Sequence, residues 1–213
     1  MKLRKSALTA LLALGLVPAL QGCFPVVVGG AGMAVAVAVD RRSSGTYMDD
    51  ESIEWKALNR INGELGDKVH LNTTSYNRKL LLTGEVFNEE SRVTAERVAR
   101  GVENVKEVVN ELRVAPTSGL GSRSNDSYIS SKVKARFVDQ KEFRIQHVKV
   151  TTEAATVYLM GIVTEREAAA ATEIARTTTG VGKVVKVFEY ISAEEARRLD
   201  GPKAEAAPGA STP

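Results

Sequence analysis

The chain has 213 residues, 29 of them Lys or Arg and 26 Asp or Glu, for a formal charge of +3. Lys2, Arg4 and Lys5 account for the whole excess, and the rest of the chain carries 26 residues of each sign. That excludes the basic footprint a nucleic-acid binder needs, and the single cysteine excludes an intrachain disulfide.

The first five residues, MKLRK, make a basic head, and an apolar run from Ala7 to Leu20 follows it. Leu20-Gln21-Gly22-Cys23 closes the pattern of an export signal. These four residues resemble the bacterial lipobox, in which the cysteine thiol accepts diacylglycerol before cleavage. Residues 1–22 are therefore expected to be a lipoprotein signal peptide. Cys23 is expected to become the lipidated N-terminus, with S-diacylglycerol and N-acyl chains and no other cofactor. More than one acyl chain anchors a protein stably. Phe24, where an Asp would favour retention in the inner membrane, points to the outer membrane and a periplasm-facing chain. Residues 23–46 read as a lipidated, apolar, membrane-proximal spacer. Its Phe24–Val39 run of 16 residues is short of the roughly 20 that a spanning helix needs, and Gly29, Gly30 and Gly32 weaken helix formation. A second membrane span is the alternative.

The rest of the chain repeats itself. Leu82-Thr83-Gly84-Glu85-Val86 recurs as Leu159-Met160-Gly161-Ile162-Val163, shifted by 77. Upstream, Ile53, Ala57 and Ile61 recur as Ile129, Val133 and Phe137, shifted by 76. Downstream, Gly101-Val102, Val105 and Val108 recur as Gly180-Val181, Val184 and Val187, shifted by 79. Two copies of one module follow, at 47–114 and 124–192, joined by a turn-rich linker at 115–123. Residues 193–213 read as a disordered tail, because Ala, Pro and Gly dominate beyond Ala196.

Each copy reads as α-β-β-α-β. A first helix starts after Asp49 or Asp50, or after Asn125 or Asp126, with apolar residues spaced by four. Strands follow at Val69–Thr74 and Lys79–Val86, with a tight turn at Tyr76-Asn77-Arg78, and at Val148–Thr152 and Thr156–Val163. The second helix is capped by Asn88 in copy one and by a Thr164–Glu167 capping box in copy two. A Gly ends each helix region, and a final strand runs Val105–Val114 or Val184–Ile191. A strand-helix-strand crossover gives a parallel pairing. The fold class is α+β: two small three-stranded sheets, each with two helices on one face.

This order, the Leu-x-Gly-x-Val strand and the Gly-Val-x-x-Val after helix two resemble the BON domain. The resemblance covers about 50–192. Behind a lipobox, Asp49-Asp50, Gly119-Leu120-Gly121, Ser124-Asn125-Asp126 and the segments 148–153 and 159–168 are similar to dual-BON outer-membrane lipoproteins. The resemblance implies a periplasm-facing protein that binds anionic phospholipid, gathers at division sites and supports envelope integrity. It places lipid contact on the first helix of copy two, at Tyr128, Val133, Lys134 and Val138, with Tyr128 and Lys134 standing where the resembled pattern has Trp and Arg.

The residues point the same way on their own, except at Val133. Wound as a helix, copy two buries Ile129, Val133 and Phe137 and turns Tyr128, Ser131, Ala135 and Val138 outward, flanked by Lys132, Lys134 and Arg136. Aromatics settle at the headgroup level and cations favour anionic lipid. An ordinary solvated helix face is the alternative. The matching helix of copy one opens with Asp49, Asp50, Glu51 and Glu54, which suits the helix dipole and not an anionic surface. On the central strand of copy two, Tyr158, Met160 and Ile162 face away from the helices. An apolar face of this kind marks an interface, to be covered by the linker, the other module or an envelope protein. Trp55, off the core stripe of copy one, is a further candidate for the inter-module contact. The competing functional reading is thus an adaptor that docks an envelope machine.

No catalytic set emerges. His70 and His147 occupy matching positions and have no third ligand at metal spacing, so no metal site is expected. With Cys23 acylated there is no Cys-His pair, and no Ser-His-Asp arrangement stands out. Gly29-Gly30-x-Gly32 lacks the Lys-Ser/Thr of a phosphate loop. Neither enzymatic activity nor a small-molecule substrate is expected.

Overall fold

The computed structural model describes residues 40–66 and 69–201. Cys23, the signal peptide, the apolar run 24–39 and the end of the chain lie outside the described residues.

In module one, helix α1 spans Ser44–Leu65 and buries Asp50, Ile53, Ala57 and Ile61. Strands β1 (His70–Tyr76) and β2 (Lys79–Val86) form an antiparallel hairpin. Helix α2 (Glu89–Arg100) follows, capped by the Asn88 side chain, which accepts from Ser91 N–H at 2.8 Å. Strands β3 (Glu107–Asn110) and β4 (Arg113–Val114) both pair parallel with β2. Module two repeats the plan. Helix α3 (Leu120–Asp139), a short 3-10 turn (Ile145–His147), and strands β5 (Val148–Glu153) and β6 (Thr156–Val163) lead to helix α4 (Glu165–Arg176) and strand β7 (Lys183–Tyr190). The expected Thr164–Glu167 capping box is formed. The central strands are β2 and β6, each with an antiparallel strand on one side and parallel pairing on the other, which β3 and β4 share in module one.

Both first helices start earlier than the capping residues suggest. Ser43 caps α1, and α3 begins at Leu120, inside the stretch assigned to the linker. The acids expected as caps have another use. Asp50 accepts from the N–H groups of Asn77 and Arg78, at 2.8 and 2.7 Å. Asp126 accepts from those of Ala154 and Ala155, at 2.9 and 2.8 Å. These four residues form the two hairpin turns, all at positive φ. That conformation suits a two-residue hairpin, and alanine resists it. The charge-assisted bonds offset the strain.

Three other boundaries differ from expectation. The last strand of module one breaks in two because Asn110 folds back: its amide donates to Arg92 O on α2, and its oxygen accepts from Leu112 N–H. In module two the second helix ends at Thr177, not at a glycine. The segment expected as a disordered tail contains helix α5 (Ala193–Asp200), capped by Ser192, with Ala196 buried.

The Leu-x-Gly-x-Val glycines have a steric cause. A Cβ on Gly84 would stand 2.0 Å from His70 O, and one on Gly161 2.3 Å from His147 O. Each module has its own core between helices and sheet. A third cluster joins the bare sheet faces: Tyr76 and Leu81 from module one, Tyr158, Met160, Ile162 and Val187 from module two.

Candidate membrane-contact helix and inter-module seam

Helix α3 presents the predicted outer face. Tyr128 is 62% exposed and Val138 67%, with Ser131, Lys134 and Ala135 exposed between them. Val133 does not belong to this face. It is fully buried in the module-two core with Ile129 and Phe137, because the four-residue spacing turns it inward. It cannot touch lipid while the module is folded.

The three cations divide. Lys132 Nζ donates to Thr179 O and lies 4.6 Å from the Tyr128 ring centroid. Arg136 donates to Ile174 O at 2.8 Å and to the Thr177 and Thr178 hydroxyls. Both therefore satisfy carbonyls at or just past the C-terminal end of α4, where cations suit the dipole. Lys132, Ala135, Arg136 and Thr177–Thr179 line a shallow groove there. Lys134, exposed, has no hydrogen-bond or ion-pair partner among the described residues.

The Tyr158, Met160 and Ile162 face is buried against module one. Burial pushes the Tyr158 hydroxyl up to about 12. Trp55 takes no part in this contact: it is 68% exposed on the outer side of α1. Successive helix residues point about 100° apart, and Glu54 is the neighbour that faces inward. Glu54 accepts from Lys149 Nζ at 2.6 Å and from Ser75 N–H at 2.7 Å. Asn77 and Asn72 donate across the seam to Glu189 and Glu153, at 2.6 and 2.8 Å.

Two adjacent residues tie the start of the described chain to both modules. Arg41 makes bidentate pairs with Glu167 and Asp200 and also donates to Ile162 O at 2.8 Å. Arg42 pairs with Asp50 at 2.7 Å and stacks over Tyr76, 4.1 Å from the ring centroid. The end of the expected spacer is thus built into the fold. Burial opposes the charge of Glu167, but Arg41 and the Thr164 N–H hold its carboxyl below the usual range. The Arg41 hydrogen bonds do the same for Asp200. Burial, then the Arg41 charge, pushes His147 down.

The sequence reading missed the other histidine's surroundings. His70, Glu85 and Glu153 converge at the seam, with one donor atom from each within 4.8 Å of the others. Burial opposes the charge of Glu85, yet Ser118 N–H, Arg113 and His70 hold its carboxyl below the usual range. Burial pushes Glu153 up, opposed by Asn72. Spacing in the chain could not reveal this trio, because Glu153 comes from the other module.

Among the described residues no helix is long and apolar enough to cross a membrane. Two α-β-β-α-β modules behind a lipobox define a tandem-module envelope lipoprotein. The BON domain model matches residues 49–116 and 125–192, and the chain belongs to the BON-domain family. It is 41% identical over 174 residues to the outer membrane lipoprotein DolP of Haemophilus influenzae, across 81% of this chain and 90% of that one. It is 36% identical to a 21 kDa hemolysin of Actinobacillus pleuropneumoniae, across 72% and 80% of the two chains. To the osmotically-inducible protein Y of Escherichia coli it is 29% identical, across 66% and 72%. The protein is an outer-membrane lipoprotein of this family.

Proposed function

We propose that this lipoprotein binds anionic phospholipid through the outer face of α3 and so supports envelope integrity, with division sites as the place of action. It acts by binding, not by catalysis. The carrying observation is the exposure of Tyr128 and Val138 on either side of exposed Lys134. An aromatic ring and an apolar side chain suit the headgroup boundary, and a cation without an internal partner suits phosphate. Lys132 and Arg136 contribute positive potential at the rim while capping α4. Acylation of Cys23 would keep the module at the leaflet, so a weak intrinsic affinity suffices through high effective concentration. The adaptor reading rested on the Tyr158 face, which module one occupies.

The test is co-sedimentation of the unacylated mature chain, residues 23–213 with Cys23→Ser, with phosphatidylglycerol or phosphatidylcholine vesicles. Lys134→Glu changes the local charge by two, roughly 2 kcal/mol at about 1 kcal/mol per charge, or about thirty-fold in affinity. Tyr128→Ala should also weaken binding, and Trp55→Ala on α1 should not. Equal binding to both vesicle types, or equal losses at Trp55 and Tyr128, would sink the reading.

A further inference from the structure

We propose that His70, Glu85 and Glu153 form a site for one divalent transition-metal ion, of the zinc class, that clamps module one to module two. His70 and Glu85 are cross-strand partners on β1 and β2, and Glu153 ends β5 of the other module. His70 Nδ1 lies 3.1 Å from Glu85 Oε2 and 3.7 Å from Glu153 Oε1. Ligands around a tetrahedral zinc, bound at about 2.0–2.2 Å, stand roughly 3.3 Å apart. The two distances straddle that value, and all three donor atoms lie within 4.8 Å of one another.

A second observation points to a ligand independently of the clustering. Glu153 is only 4% exposed, and its Oε1, the oxygen aimed at His70, has no hydrogen-bond partner. A buried carboxylate oxygen without a donor is costly, and a second carboxylate beside it adds repulsion. One divalent cation removes both penalties.

The surroundings suit a metal. The other oxygen of Glu153 accepts from the Asn72 amide at 2.8 Å, which orients the carboxylate. Glu85 accepts from Arg113 Nη2 on Oε1 and from Ser118 N–H on Oε2, which fixes the carboxylate with Oε2, the oxygen facing His70, as its ligating atom. Outer partners of this kind fix metal ligands in place. Ser118 Oγ, 3.5 Å from His70 Nδ1, or a water can fill the fourth position. Neither module holds the set alone, so binding couples to docking of the modules.

The experiment titrates Zn²⁺ alone into the untagged, unacylated mature chain by calorimetry. One saturable site with micromolar or tighter affinity is expected, and saturation should raise Tm by a few degrees. Glu153→Gln and His70→Asn should each weaken binding at least a hundredfold. Co²⁺ supplies a readout that needs no variant: one equivalent should give tetrahedral d–d absorption that Zn²⁺ displaces. Absence of saturable binding, or wild-type affinity in a folded Glu153→Gln variant, overturns the proposal. So does a Co²⁺ spectrum that stays octahedral.

Discussion

Arg41 offers the sharpest test of how the chain leaving the anchor is joined to the fold. Its side chain is 1% exposed and serves two carboxylates and one backbone carbonyl. Arg41→Ala leaves Glu167, Asp200 and Ile162 O without it. Removing one member of a buried ion pair costs about 3–5 kcal/mol. Asp200, whose side chain is more exposed, can return to water, and Glu167 keeps its bonds to Thr164. The loss should therefore sit at the low end, about 3 kcal/mol. With a urea slope of about 2 kcal/mol/M, the midpoint should fall by about 1.5 M, followed by circular dichroism on the unacylated mature chain. Arg41→Met combined with Glu167→Gln should recover part of the loss, because a neutral replacement leaves no buried charge. A loss below about 1 kcal/mol in the single variant would refute the idea that this cluster holds the chain. So would a double variant no better than the single.

Two further outcomes follow from the seam and from the buried histidine. Met160→Ala, at a fully buried seam position, should cost about 3 kcal/mol through lost burial and a residual cavity; a cost under 1 kcal/mol would mean the sheets do not stay packed. Acid should destabilise the Arg41 cluster, where Glu167, Asp200, Arg41 and Arg144 surround His147. His147 sits below its ordinary 6.5, so the unfolded chain takes up a proton that the folded chain refuses as pH drops through 6.5. Stability should fall by up to about 1.4 kcal/mol per pH unit below that point, until the folded pKa is reached. Glu167 and Asp200, held below their ordinary 4.5 and 3.8, stabilise above those values, and that contribution is lost as pH falls through the lowered ones. Glu153, pushed up by burial, acts with the opposite sign. Unfolding curves from pH 8 to 5 for wild type and His147→Asn isolate the histidine, and identical slopes would rule it out.

Local chemistry left clear marks in the sequence. The fourfold apolar spacing marked the core stripes of α1 and α3, and it already put Val133 inward, against the lipid role that family resemblance implied. The Thr164–Glu167 box marked the start of α4. Asp50 and Asp126 misled as helix caps, because an acid inside a helix can serve a turn that is remote in sequence. Lys132 and Arg136 read as free surface cations, because the carbonyls they meet lie at or just past the end of a helix some forty residues on.

The sequence by itself determined the anchor motif, the two modules and the helix that faces outward, since each depends on periodicity or on residues adjacent in the chain. Only the tertiary structure decided which faces remain exposed. It put Tyr158, Met160 and Ile162 inside and Trp55 outside, tied Arg41 and Arg42 to both modules, and gathered His70, Glu85 and Glu153 at the seam. These depend on how two similar sheets stack. Stacking is set by complementary shape and charge between segments far apart in the chain, which no local pattern records.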